Sequence, residues 1–190
     1  MEKQEFTITL YTEDSIGITV RIAGILSRRK TNIESLNASP SEVDGIHRFT
    51  IVITETEEFV RKICKQIEKQ VEVLKVYFNT NDELVWQEQA LYKVPADVIV
   101  EKAYVERLLR GYGANVVAIR KDYIVFETSG HREEIDKLTE ELGQYGLTEF
   151  VRGARIAIIK NSAGFYSKLK EFEQKDPVPE ITESIMFKST

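Results

Sequence analysis

Apolar and polar residues alternate along residues 5–11, Glu-Phe-Thr-Ile-Thr-Leu-Tyr, with the period of two that a half-buried strand requires. From residue 18 the period lengthens. Ile18, Ile22, Ile25 and Leu26 recur at helical spacing, and Arg28, Arg29 and Lys30 close the run where cations favour the negative end of the helix dipole. Residues 33–39 and 46–54 predict two more strands, separated by Pro40 and the turn-forming pair Asp44-Gly45, and therefore a hairpin. Phe59, Ile63 and Ile67 mark one face of a second helix over residues 57–69, with Glu at its start and Lys at its end, and residues 71–78 supply a fourth strand.

After the polar break at residues 79–82 the same order begins again. Residues 86–94 read as a strand, and Asp97 is placed to cap a helix that carries Val105, Leu108 and Leu109 up to the stop at Gly111. Residues 116–119 and 123–127 are the paired strands. A helix bearing Ile135, Leu138 and Leu142 runs up to Gly143, and residues 147–151 with 155–159 supply the last strand. The expected fold class is α+β: two tandem ferredoxin-like βαββαβ domains, at residues 1–79 and 80–160, each an antiparallel sheet with two helices on one face. Residues 161–190, interrupted by Asp176-Pro177-Val178-Pro179, are expected to form an appended arm. One face of each sheet lacks helices. Half-apolar strands such as Thr50-Ile51-Val52-Ile53 predict that this face or an edge is buried against the second unit or another chain.

Composition narrows the function. The chain is 42% hydrophobic and 30% charged, the balance of a globular protein, and its net charge of -5 argues against a nucleic-acid partner, whose binding rests on clustered Lys and Arg. The stretch around residues 46–53 offers only Phe49 with His47 and Arg48, too little for an RNA-reading sheet. Cys64 is the only cysteine, no signal-peptide layout opens the chain, and the apolar runs are too short to span a bilayer. No membrane association and a cytoplasmic location are therefore expected. The first loop, residues 12–17, contains no Cys or His for a metal. His47 and His131 fall in different units without a recognisable partner, and Cys64 reads as a small packing residue, so no catalytic group is expected.

Residues 14–33 carry a different signal. Gly17 permits an unusual dihedral or close backbone approach, and the helix beginning there presents unpaired N–H groups suited to a carboxylate. Asp14 can meet an ammonium, the Asn32 amide can donate and accept, and Ile16, Ile18 and Ile33 offer an apolar wall. Together these needs describe a free hydrophobic amino acid. On the other reading Asp14 or Ser15 only caps the helix, Gly17 only turns the chain and Asn32 only starts a strand.

At these residues the chain resembles the small regulatory subunit of acetolactate synthase, also called acetohydroxyacid synthase, a family of two ACT-type domains. The resemblance rests on Gly17-Ile18-Thr19-Val20-Arg21-Ile22, on Asn32-Ile33-Glu34-Ser35-Leu36 with Pro40, and on Arg48-Phe49-Thr50-Ile51. It continues through residues 69–76 and 88–94 and covers roughly residues 5–160. It implies a subunit without chemistry of its own that activates a separate catalytic (large) subunit and lets a branched-chain amino acid, valine in the first instance, restrain it. Thiamine diphosphate, magnesium and flavin (FAD) would belong to that partner, and this chain would hold no metal. The family's effector sites lie between first-domain copies of a homodimer, which by position makes Asp14, Gly17, Ile18, Asn32 and Ile33 the expected effector-binding residues. The family usually has Asn at the position of Asp14 and a glycine-aromatic pair at Lys30-Thr31, and its Ala-Arg-Ser/Thr-Gly run stands here as Ala154-Arg155-Ile156-Ala157. The alternative is a stand-alone ACT-type amino-acid sensor that controls another enzyme or a transcription regulator.

Overall fold

In the computed structural model residues 2–101 and 103–162 are described, so the expected arm lies, but for its first two residues, outside the described part. The first unit runs β1 (Gln4–Glu13), α1 (Ile18–Arg28), β2 (Ser35–Pro40), β3 (Ile46–Glu55), α2 (Glu57–Ile67) and β4 (Val73–Thr80). Its strands form an antiparallel sheet in the order β2-β3-β1-β4. The alternation read from the sequence sets the two faces. Phe6, Ile8 and Leu10 of β1 and Phe49, Ile51 and Ile53 of β3 turn to one side, where Ile22, Ile25 and Leu26 of α1 and Val60, Ile63 and Ile67 of α2 close the core. The thiol of Cys64 lies in that core, and burial pushes it up to about 12, consistent with a packing role. Thr56 caps α2 by accepting from the Phe59 N–H, and Glu57 and Glu58 fill its first turn.

Lys30 sits just past α1 with φ 57, in the left-handed region that favours glycine. The Thr31 N–H reaches back to the Leu26 carbonyl at 3.2 Å, so this conformation closes the helix C-terminus. Lys30→Gly is accordingly expected to raise stability by about 1 kcal/mol, read as a higher urea midpoint at unchanged slope.

The second unit runs β5 (Leu84–Pro95), α3 (Ala96–Glu101), α4 (Ala103–Gly111), β6 (Asn115–Ile119), β7 (Tyr123–Gly130), α5 (Arg132–Gly143), β8 (Glu149–Arg152) and β9 (Ile156–Ile159). The main sheet has the order β6-β7-β5-β8, and its core gathers Tyr92 and Val94 with Val105, Leu109, Leu138 and Leu142. Two local expectations are corrected. Asp97 lies inside α3 rather than ahead of it, with its carboxylate on the neighbouring Val98 N–H. The last strand is also double. β8 pairs with residues 90–93 of β5, whereas β9 pairs with residues 84–87, forming a separate two-stranded ribbon.

That ribbon covers the face of the first sheet left bare by its helices. Thr7, Thr9 and Tyr11 of β1 and Thr50 and Val52 of β3 point away from α1 and α2, yet all are buried. Over them lie Leu84, Trp86 and Ala157, and Arg48 of β3 donates to the Ala157 carbonyl. The Lys160 N–H bonds the Glu83 carbonyl at 2.9 Å and so closes the ribbon at the junction between the units. The second unit is thus what covers this face.

Candidate functional site

The end of β1 and the start of α1 build the first part of the expected site. The Asp14 N–H donates to the Gly45 carbonyl at 2.8 Å, so the β2–β3 hairpin, turning at Gly45 with φ 76, holds this loop against the sheet. Asp14 keeps an exposed carboxylate, 3.7 Å from Nε2 of His47. Gly17 is itself the N-cap of α1 at φ 85, and no side chain caps the helix there. The reading in which Asp14 or Ser15 caps α1 is therefore set aside. A Cβ placed on Gly17 would meet nothing within 4 Å, so the space in front of the helix is open.

The apolar wall is arranged differently from expectation. Ile18 is buried in the core beneath the helix start, so it offers a ligand only its main chain and support from below. Ile16 is fully exposed and Val20, one turn on, largely so. They form an apolar strip beside Gly17 that the described residues leave uncovered.

Asn32 and Ile33 belong to the other end of α1. They follow its C-terminus and lead into β2, and an eleven-residue helix separates them from Gly17 by about 16 Å at 1.5 Å per residue. Asn32 is exposed, its Nδ2 donating to Glu34 Oε1 at 3.3 Å, and Ile33 is half-buried against the core. One chain therefore does not bring Asp14 and Gly17 together with Asn32 and Ile33. The strand they lead into, β2, forms an edge of its sheet among the described residues.

A second cluster escaped the sequence reading. Arg155, in the link between β8 and β9, is 0% exposed. Its Nη2 donates to Glu5 Oε1 at 2.7 Å, and its Nη1 to Thr7 Oγ1 and Asn81 Oδ1, both at 3.0 Å. The guanidinium lies 3.6 Å from the centroid of the Trp86 ring, which stands perpendicular to the His131 ring with the two centroids 4.3 Å apart. Glu88, 1% exposed, faces Arg132 at 3.3 Å and Arg152 at 3.7 Å, and Arg152 also pairs with Asp136 of α5. Sequence carried one usable sign of this. Glu88 is in phase with Leu84, Trp86, Ala90, Tyr92 and Val94, so the period of two alone turns it inward.

Burial pushes the Glu5 carboxyl up, but hydrogen bonds from Asn81 and Arg155 and the charges of Arg155 and Arg132 outweigh it and hold it below the ordinary value of 4.5. A carboxylate lowered on folding stabilises the protein above its unfolded value and loses that contribution as pH falls through the folded one. Glu5→Gln is therefore expected to be less stable than wild type near neutrality, with the gap closing as pH falls below 4.5. Urea midpoints of both proteins across that window check it, and a gap that widened in acid would contradict it.

Among the described residues, no group of three or more His, Cys, Asp and Glu could hold a metal ion, and no helix is long and apolar enough to cross a membrane. Comparison with known proteins assigns the two units. Residues 8–75 match the model of the AHAS small subunit-like ACT domain, and residues 87–161 match that of the small subunit of acetolactate synthase. The acetolactate synthase small subunit of Bacillus subtilis is 33% identical over 156 residues, covering 82% of this chain and 90% of its own length. A probable acetolactate synthase small subunit of Archaeoglobus fulgidus is 30% identical over 156 residues and 97% of its length. The crystal structure of the small subunit from Thermotoga maritima superposes with a TM-score of 0.76 at 24% identity, over 84% of this chain and 99% of that one, and shares the fold. Sequence match over both units and a shared two-sheet architecture agree: the chain belongs to the acetolactate synthase small subunit family.

Proposed function

We propose that this chain, a non-catalytic small subunit, activates the catalytic subunit of acetolactate synthase and conveys feedback from a branched-chain amino acid, with valine as the first candidate. The observation that carries the effector reading is the separation of the two half-sites by the length of α1, together with the position of β2 at a sheet edge. Antiparallel pairing of β2 with its copy about a two-fold axis sets the Gly17 end of one α1 beside the Asn32 end of the other. The effector would then bind twice per homodimer, its carboxylate at the uncapped start of α1, its ammonium at Asp14, and its polar head also against Asn32 of the second copy. The exposed Ile16 and Val20 are suited to be covered in the same contact. Residues 1–79 accordingly sense and dimerise, while residues 80–160 and the arm shape the contact with the catalytic subunit. The thiamine diphosphate, magnesium and FAD of the holoenzyme belong to that partner.

The test is to mix the purified chain with an acetolactate synthase catalytic subunit and assay acetolactate formation with and without valine, leucine and isoleucine. Raised activity that one of these amino acids reverses is expected. Acetolactate formation by the isolated chain, or unchanged activity in a demonstrated complex, would refute the activating role. A wild-type chain that binds none of the three amino acids would refute the effector site. Gene adjacency adds a simple check: a thiamine-dependent large-subunit gene beside this one fits the reading, whereas another enzyme or regulator there fits the stand-alone sensor.

A further inference from the structure

The segment from Arg152 to Arg155 runs as a strap from the second unit onto the first. Arg152 is held within the second unit by Glu88 and Asp136. Arg155, three residues on, is held by the first unit through Glu5 and Thr7 of β1 and by Asn81 at the junction. Its backbone N–H donates to Ser35 Oγ at 3.0 Å, and Ser35 is the first residue of β2, two positions after Ile33. The Gly153 N–H bonds the Gln89 carbonyl at 2.7 Å, and a Cβ on Gly153 would come within 3.3 Å of that same oxygen, so the strap lies close against β5. Beside it is a cavity of about 240 Å³ between Glu34, Ser35 and Leu36 of the first unit and Glu88, Arg132 and Arg152 of the second. The strap is thus fixed at both ends and bordered by free space between the units.

We infer that Arg155 is a positioning residue for feedback: its buried guanidinium fixes the strap so that its N–H, through Ser35, relays occupancy at Asn32 and Ile33 to the second unit. This inference rests on the effector site proposed above. A ligand that draws the start of β2 toward the second copy pulls on Ser35 and hence on the strap, whose other end is the Arg152–Glu88–Asp136 cluster against α5. The guanidinium gives the N–H a defined position because it is held from four directions, by Glu5, Thr7, Asn81 and the Trp86 ring. A lysine ammonium keeps the charge for Glu5 but lacks the planar fork needed to reach Thr7 and Asn81 together and to stack on Trp86. Intermediacy in space is not by itself coupling, so the decisive quantity is the change in response at constant occupancy.

The experiment uses the full chain with its catalytic subunit, comparing wild type, Ser35→Ala and Arg155→Lys with valine, leucine and isoleucine as probes. Effector affinity of each chain is measured by calorimetry, and activation and inhibition are measured on the holoenzyme. Couplings of this kind run from about 5-fold to about 150-fold. The expected result is that both variants bind the effector within about 3-fold of wild type and still activate, but lose most of the inhibition at saturating effector. Wild-type inhibition in Ser35→Ala would overturn the inference, even if Arg155→Lys fails to fold. Parallel loss of activation and inhibition in both variants would equally overturn it, because that is the signature of a merely structural strut. If the wild-type chain binds none of the three probes, the effector site itself is refuted and this relay falls with it. Binding and inhibition in wild type with unchanged inhibition in both variants would refute the relay alone.

Discussion

Gly17→Asp is expected to abolish the response to the effector while leaving activation of the catalytic subunit largely intact. Two physical terms act at this position, and they differ in consequence. Residue 17 has φ 85, so any side chain there meets left-handed strain of roughly 1–2 kcal/mol, at the lower end for Asp. That term lowers stability but touches no ligand. The second term is charge: the new carboxylate would occupy the open space before α1 and itself satisfy the helix start that an effector carboxylate needs. Gly17→Ala separates the two, because it carries the strain without the charge, and it should destabilise similarly while keeping part of the response. Feedback couplings are typically ~1–3 kcal/mol, so loss of binding removes the whole effect. Asn32→Ala should act in the same direction but more weakly, by the ~0.5–1.5 kcal/mol of one hydrogen bond. Inhibition curves for the four proteins at matched holoenzyme concentration decide the matter, and wild-type inhibition of Gly17→Asp would remove this site from consideration.

Trp86→Ala is expected to cost about 3–5 kcal/mol of stability, the largest effect of any single change considered for this chain. Trp86 packs with Leu84 and Ala157 in the ribbon that faces β3, beside a cavity of about 380 Å³ that it shares with Arg48 and Thr50. Its ring carries the Arg155 guanidinium on its face, an interaction worth about 2 kcal/mol when desolvated. Truncation would open a cavity and at the same time leave buried Arg155 with one side unsupported. The buried Thr7, Thr9 and Thr50 beneath it would gain access to water. Urea unfolding should show a single transition at a much lower midpoint if the two units unfold together. Two separated transitions would report that the ribbon had been holding them as one. A loss below about 1 kcal/mol would contradict the placement of Trp86 at this seam.

The seam also bears on how the labour is divided between the units. A fragment ending near residue 79 would lack the ribbon, Trp86 and Arg155, and would expose the polar but buried face formed by Thr7, Thr9 and Thr50. Sensing by the first unit is therefore best tested in the full chain.

Periodicity alone determined the order of elements in this protein. The alternation in β1 and β3 separates Phe6, Ile8, Phe49 and Ile51 from Thr7, Thr9 and Thr50, and the 3.6-residue spacing of Ile18, Ile22 and Ile25 marks α1, because each pattern reports only which side of a local element is dry. Gly17 was legible for a similar reason: an uncapped helix start at positive φ is a local backbone demand. Tertiary structure decided what local periodicity cannot encode. The link between β8 and β9 carries Arg155 from the second unit onto the first, and no spacing within residues 147–159 reveals that its partners are Glu5, Thr7 and Asn81, between 74 and 150 positions away. The same holds for the proposed effector residues, whose grouping in sequence hides a helix of about 16 Å between them. Nearness along the chain reports element type, whereas nearness in space depends on which end of an element each residue occupies, and that is set only when helices and strands are packed.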